Sequence, residues 1–216
     1  MNAVKHSGSG MRTIYFASTN AGKLREFKHA AELHGINVEL LPGIENLPAC
    51  IEDGSTFEEN ARKKALYYSQ WTDHMVFADD SGLSVDVLDS RPGVHSARYA
   101  GPKADDEANN RKLLHELSRV PPSKRSAHYV CVIALAQRGK ILTVVEGRAD
   151  GLIQDERKGT GGFGYDPYFF YPPLHKTFAE ISIEEKFEVS HRGKAFRKLL
   201  DFLDSLPDEE YEPRTS

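Results

Sequence analysis

FADDSGLSVD, residues 77–86, is the stretch on which the fold turns. The apolar letters Met75 to Ala78 read as the end of a buried strand, and they run straight into two adjacent carboxylates, Asp79 and Asp80, then Ser81 and Gly82. Two neighbouring carboxylates at a strand end are explained if positive charge lies near them. A metal ion or a water-activating role would supply that reason. An ordinary turn built on Asp, Ser and Gly explains the same letters without any chemistry.

Working outward, strand and helix patterns alternate. Arg12–Ala17 (RTIYFA) predicts a first strand, and Gly22-Lys23 opens a helix to about His34, with Leu24, Phe27, Ala31 and His34 spaced for one buried face. Gly35 stops it, and Asn37–Leu41 predicts a second strand. After a loop over Pro42–Asp53, either Ser55 with Glu58 or Thr56 with Glu59 caps a helix to about Trp71. A third helix is expected over Asp105–Leu117, before Pro121-Pro122. His128–Gln137 and Ile141–Ala149 flank Arg138-Gly139-Lys140 as a long hairpin, and Tyr165–Tyr171 is aromatic and strand-like. Ser182 with Glu185 forms another capping box, and Ser190 caps a last helix to about Leu206. Strand–helix alternation followed by a hairpin predicts an α/β chain with a mixed central sheet and flanking helices. Residues 1–10 (MNAVKHSGSG) are expected to be a loose extension, residues 11–206 one domain, and 207–216 an acidic, frayed tail.

Composition narrows the class. The 216 residues suffice for one sizeable core. A 39% apolar and 28% charged composition is that of a soluble globular protein. A net charge of −4 argues against a general nucleic-acid surface but leaves room for a small anion in a locally positive cleft. Cys50 and Cys131 make no disulfide framework and suit a reducing compartment, the cytoplasm. No apolar run has the length of a membrane span, and the first ten residues lack the apolar region of an export signal.

Four further segments carry candidate chemistry. In STNAGK (residues 18–23), the backbone amides at a strand-to-helix junction, Ser18, Thr19 and Asn20, and the charge of Lys23 all favour an anion, although helix capping explains the short polar letters equally. It is not a P-loop, because Ala17 stands where that pattern needs its first Gly. In EDGSTFEENARKKA (residues 52–65), Thr56, Asn60 and Lys64 share one helix face beside an apolar stripe of Phe57, Ala61 and Ala65. Lys64 then points either to phosphate oxygens or simply to solvent. GTGGFG (residues 159–164) spells a dinucleotide fingerprint, but YDPYFFYPP follows where a helix should open, so that reading is rejected. Its glycines either let the backbone approach a ligand, with Phe163 placed to stack on a base, or simply make a flexible loop capped by core aromatics. Lys186 and Ser190-His191-Arg192 gather donors at a helix start.

Together FASTNAGKLRE (16–26), the passage from Asp79 to Gly101 ending GLSVDVLDSRPGVHSARYAG, GTGGFGYDP (159–167) and EEKFEVSHRG (184–193) resemble the non-canonical purine nucleoside triphosphate pyrophosphatases, the inosine/xanthosine triphosphatase family. The likeness runs from Arg12 to the last helix. Thr19 departs from the Gly often found there. The resemblance implies two lobes around a nucleotide cleft, and a Mg²⁺-dependent attack of water on the α-phosphorus of ITP, dITP or XTP that releases pyrophosphate. It places the triphosphate on Ser18, Thr19, Asn20, Ala21, Gly22 and Lys23, with Lys64 and Ser81 as further contacts. It puts Phe163, Gly164, Tyr165 and Asp166 around the nucleotide, and Lys186, His191 and Arg192 on the base. Glu52, with Asp53 as runner-up, and Asp80 are the implied metal ligands. Asp80 is also the implied general base, with Asp79 as the alternative. A homodimer is expected from the family. Two other readings share much of this pattern: a Maf-type nucleotide pyrophosphatase with another base preference, and a nucleotide sensor without turnover. The adjacent carboxylates favour an enzyme over a sensor, and the SHR cluster with GGFGYDP favours the first family.

Overall fold

In the computed structural model, residues 12–32 and 34–207 are described. The expected extension and most of the expected tail lie outside them. Among the described residues, five α-helices flank one seven-stranded sheet. Its strands are β1 (Arg12–Phe16), β2 (Ile36–Leu40), β3 (Val76–Val85), β4 (Ser126–Gln137), β5 (Lys140–Ile153), β6 (Phe169–Tyr171) and β7 (Lys176–Thr177), in the spatial order β2-β1-β3-β4-β5-β6-β7. β2, β1 and β3 run parallel, and every later pairing is antiparallel, so the sheet is mixed as expected. The helices are α1 (Ala21–Glu32), α2 (Phe57–Tyr68), α3 (Asp106–Leu117), α4 (Ile183–Val189) and α5 (His191–Ser205).

One expectation fails in an informative way. The acidic pair is not at a strand end: β3 continues through Asp79, Asp80, Ser81 and Gly82 to Val85, paired with β4 along its whole length. The long partner strand overrides the turn propensity of Asp-Ser-Gly. Because side chains alternate across a strand, Asp79 and Asp80 point to opposite faces of the sheet. On the Asp79 side, Phe77, Cys131 and Ile133 pack with Phe27 of α1 and Phe196 and Leu199 of α5. On the Asp80 side, Val76, Ala78, Val132 and Ala134 pack with Ala61 and Ala65 of α2. A further core, with Leu83, Val85, Tyr129 and Phe169 against Leu113 and Leu117 of α3, fills the other end of the sheet.

Smaller corrections have local causes. α1 stops at Glu32, and His34 is exposed in the following turn rather than on the buried face. Of the two capping registers, Thr56 is the cap of α2: its side chain accepts the Glu59 N–H, and Glu59 returns to Ser55. Only Phe169–Tyr171 of the aromatic run is strand, because Tyr165 and Asp166 lie in a turn closed by Tyr168 and Phe169 N–H groups on the Tyr165 carbonyl. The hairpin strands are longer than expected, reaching Ser126 and Ile153. The capping box on Ser182 and the Ser190 cap both form.

Candidate active site

The alternation of β3 gives its two carboxylates different neighbours. Asp79 is fully buried, and its carboxylate meets Lys23 Nζ at 3.0 and 2.8 Å while accepting the Ser81 hydroxyl at 3.1 Å. Burial pushes its pKa up, but the charges of Lys23, Arg192 and Lys64 outweigh burial and hold it below the ordinary carboxylate value. Asp80, on the α2 side, accepts Asn60 Nδ2 at 2.9 Å on Oδ2 and the Ser81 N–H at 3.1 Å on Oδ1. Here burial prevails: the pKa is raised, although Lys64, Asn60 and Lys23 pull the other way. Neighbouring carboxylates with oppositely shifted affinities for a proton are a signature of divided roles.

Lys64 lies 2.9 Å from Glu52 Oε2 and 3.8 Å from Asp80 Oδ1, so the face predicted for Thr56, Asn60 and Lys64 does turn to the cleft. Lys64 stays charged despite burial because Asp79, Asp80 and Glu52 surround it. Glu52 rather than Asp53 meets this group; Asp53 pairs with Lys63 at the surface.

The other end of the cleft is a buried charge network. Lys186 Nζ donates to Asp166 Oδ2 at 2.6 Å and to Glu26 Oε1 at 2.8 Å. Arg192 donates to Glu26 Oε2 at 2.5 Å and to Ser81 Oγ at 3.1 Å. Glu26 is held below its ordinary pKa: burial raises it, but Arg192 and Lys186 more than compensate. His191 is buried among cations, stacks on Tyr129 at 4.5 Å and 8°, and is held neutral, because burial, Arg192 and Lys186 all disfavour its charged form. Phe163 lies beneath both cations, 5.0 Å from Lys186 Nζ and 5.3 Å from Arg192 Cζ. Its loop is fixed by Asp166, which accepts the Phe163 N–H at 2.9 Å, and by Asp106, which accepts the Gly164 N–H at 2.7 Å. Gly164 has φ +63°, which explains glycine there.

One cavity brings these ends together. Ser18, Asn20, Lys23, Glu52, Lys64, Asp80 and Ser81 line one part. Phe163, Gly164, Tyr165, Asp166, Lys186, His191 and Arg192 line the rest. Three predicted contacts are not in that lining. Thr19 faces an adjoining cavity shared with Ser18, Glu52 and Lys64. Ala21 is exposed at the start of α1, and Gly22 packs on Phe163, whose ring carbon would lie 3.1 Å from an added Cβ. The sequence alone assigns no role to Glu26, Ser96, Asp106 or Tyr129, and it places Asn60 on the Lys64 face without a role of its own. Ser96 accepts the Leu83 N–H on its hydroxyl, and its carbonyl accepts the Tyr165 hydroxyl at 2.7 Å.

As for metals, no group of three or more His, Cys, Asp or Glu side chains gathers among the described residues. Glu52 and Asp80 instead offer two carboxylates lining one cavity. That donor set fits magnesium, which takes one or two carboxylates and completes its shell with water and substrate phosphates.

Residues 14–202 match the Ham1 family. The chain belongs to that family. Over 195 residues it is 49% identical to a dITP/XTP pyrophosphatase of Geobacter sulfurreducens, covering 89% of this chain and 97% of the relative. It is 44% identical over 193 residues to a dITP/XTP pyrophosphatase of Desulforamulus reducens, covering 89% and 96%. A solved HAM1 protein from Coxiella burnetii superposes with a TM-score of 0.80 at 40% identity, over 91% of this chain and all of the other. This Ham1-family chain has no described helix long and apolar enough to cross a membrane.

Proposed function

We propose that this protein hydrolyses deaminated purine nucleoside triphosphates, dITP, ITP and XTP, to the monophosphate and pyrophosphate. Its relatives' names support that substrate class. The observation that carries the chemistry is the split between the two carboxylates of β3. Asp79 is committed to Lys23, while Asp80 lines the cavity with a raised proton affinity and a lysine beside it. Asp80 is the general base: it takes a proton from water as the water oxygen bonds to the α-phosphorus. The bond from that phosphorus to the bridging oxygen breaks, and the electron pair leaves with pyrophosphate. Lys23 and Lys64, near the base, hold phosphate oxygens by charge. Glu52 and Asp80 would hold Mg²⁺, which when bound would offset the charge gathering on the leaving group. Lys186, His191 and Arg192 present donors to the purine keto oxygen, with Phe163 beneath the base. The reading extends to a homodimer in the cytoplasm. The dimer follows from the family alone, and the two free cysteines suit a reducing compartment.

The test is a panel of nucleotides with magnesium, scored for pyrophosphate. ITP, dITP and XTP should yield pyrophosphate far faster than ATP, GTP or pyrimidine nucleotides, and excess chelator should abolish release. Tight binding of ITP without release would make the protein a sensor. Release from a different set of bases would move it toward the Maf-type chemistry.

A further inference from the structure

Asn60 lies in the interior of α2, 1% exposed, and both ends of its amide bond outside the helix. Oδ1 accepts the Gly54 N–H at 2.8 Å, and Nδ2 donates to Asp80 Oδ2 at 2.9 Å. The partners fix which end is which: an N–H needs the amide oxygen, and a carboxylate needs the NH₂. Gly54 follows Glu52 by two residues, on the loop before α2. That loop presses on the amide, since a Cβ at Gly54 would lie 2.7 Å from Asn60 Oδ1 and 2.8 Å from Glu59 Cβ. Asparagine is a poor helix former, and a buried amide costs stability unless both ends are satisfied. Here both are, by the two segments that carry the cleft's acidic groups.

We infer that Asn60 is a positioning residue: one rigid amide sets the rotation of Asp80 and locks the Glu52 loop to it. With Oδ2 held by Asn60, Oδ1, which accepts the Ser81 N–H through one lone pair, faces Lys64 and keeps its other lone pair to receive a proton from water. Asn60 touches neither water nor phosphate in this scheme and acts only through Asp80 and the loop. The inference rests on Asp80 being the base.

A double-mutant cycle tests it. Asn60→Asp keeps the acceptor for Gly54 but sets oxygen against oxygen at Asp80. Turnover of ITP should fall by about 10- to 100-fold, since small misplacements at reacting groups have effects of that order. KM should move by less than about twofold, because uniform binding is untouched. Binding of ITP without divalent ion, by titration calorimetry, should also be unchanged. In an Asp80→Asn background the same substitution should lower the residual rate by less than about twofold, because residues acting as a unit are not additive. Gly54→Ala, which loads the same amide from the loop side, should behave alike through the cycle, and it decides the matter if Asn60→Asp does not fold. An equal loss in both backgrounds, or wild-type turnover in Asn60→Asp when Asp80→Asn is inactive, overturns the positioning role alone. Full turnover in Asp80→Asn overturns the base assignment and this inference with it.

Discussion

Replacing each carboxylate of β3 by its amide should separate stability from catalysis. Asp79→Asn preserves shape but leaves the Lys23 ammonium, whose side chain is 16% exposed, facing an uncharged, fully buried amide. Breaking a buried pair from one side costs about 3–5 kcal/mol. Lys23 can regain some water, so we expect roughly the lower part of that range or slightly less, ~2–3 kcal/mol. For a chain of this size that is a fall in Tm of roughly 5–10 °C. Asp79 titrates below its ordinary value in the folded state, so its contribution is full above a pH of about 4 and fades only as the pH drops through the folded value. The gap between wild type and Asp79→Asn should therefore stay constant from neutral pH down to about 4 and close below it. Asp80→Asn should do the reverse: Tm close to wild type, turnover down by about 10²–10⁴-fold. Calorimetry across pH and pyrophosphate release at saturating nucleotide read the two effects. An Asp79→Asn protein with unchanged Tm and turnover as low as Asp80→Asn would refute this division and make Asp79 the reacting carboxylate.

Three other outcomes are expected. His191 is neutral when folded, so below a pH of about 6.5 the unfolded chain takes up a proton that the native state refuses, and stability falls by up to about 1.4 kcal/mol per pH unit. His191→Phe, which can keep the stack on Tyr129, should show a flatter Tm between pH values of about 6.5 and 5; an identical slope would mean that His191 is charged in the fold. Gly147→Ala would put a Cβ 2.0 Å from the His191 carbonyl oxygen and 2.4 Å from the Ala195 nitrogen, so α5 must move, at about 1–3 kcal/mol or more, and a wild-type Tm would contradict that contact. Arg192→Ala should erode the preference for ITP over ATP more than that for ITP over GTP, because adenine alone sets an amino group against the donors; specificity constants for the three nucleotides decide it.

How far the site could be read from sequence depended on the distance between partners. Strand-to-helix junctions and the face shared by Thr56, Asn60 and Lys64 are local facts, and Lys23 and Lys64 duly reach the cleft. Asp-Ser-Gly is a turn composition and by itself puts the acidic pair at a strand end, while the pairing that straightens it comes from β4, about fifty residues later. Glu26 was invisible for the same reason: Lys186 and Arg192, which it joins, lie 160 and 166 residues along the chain. Nothing within a helical turn of Glu26 marks it as other than a surface carboxylate.

The charge network shows what that long-range closure accomplishes. Lys186 and Arg192 are almost fully buried, and a buried cation without a counterion would lose its proton or unfold its surroundings. Glu26 and Asp166 keep both charged, and they do so from α1 and from the loop that carries Phe163. The same carboxylates thus fasten four segments around the cavity: α1, the aromatic loop, α4 and the start of α5. His191, next to this pair, is left neutral because burial disfavours its charged form and both cations repel a third charge. A neutral imidazole can donate from one nitrogen and accept on the other, whereas the two cations can only donate. Of these three groups lining the cavity, His191 alone can therefore accept as well as donate, because Glu26 and Asp166 keep the other two as cations.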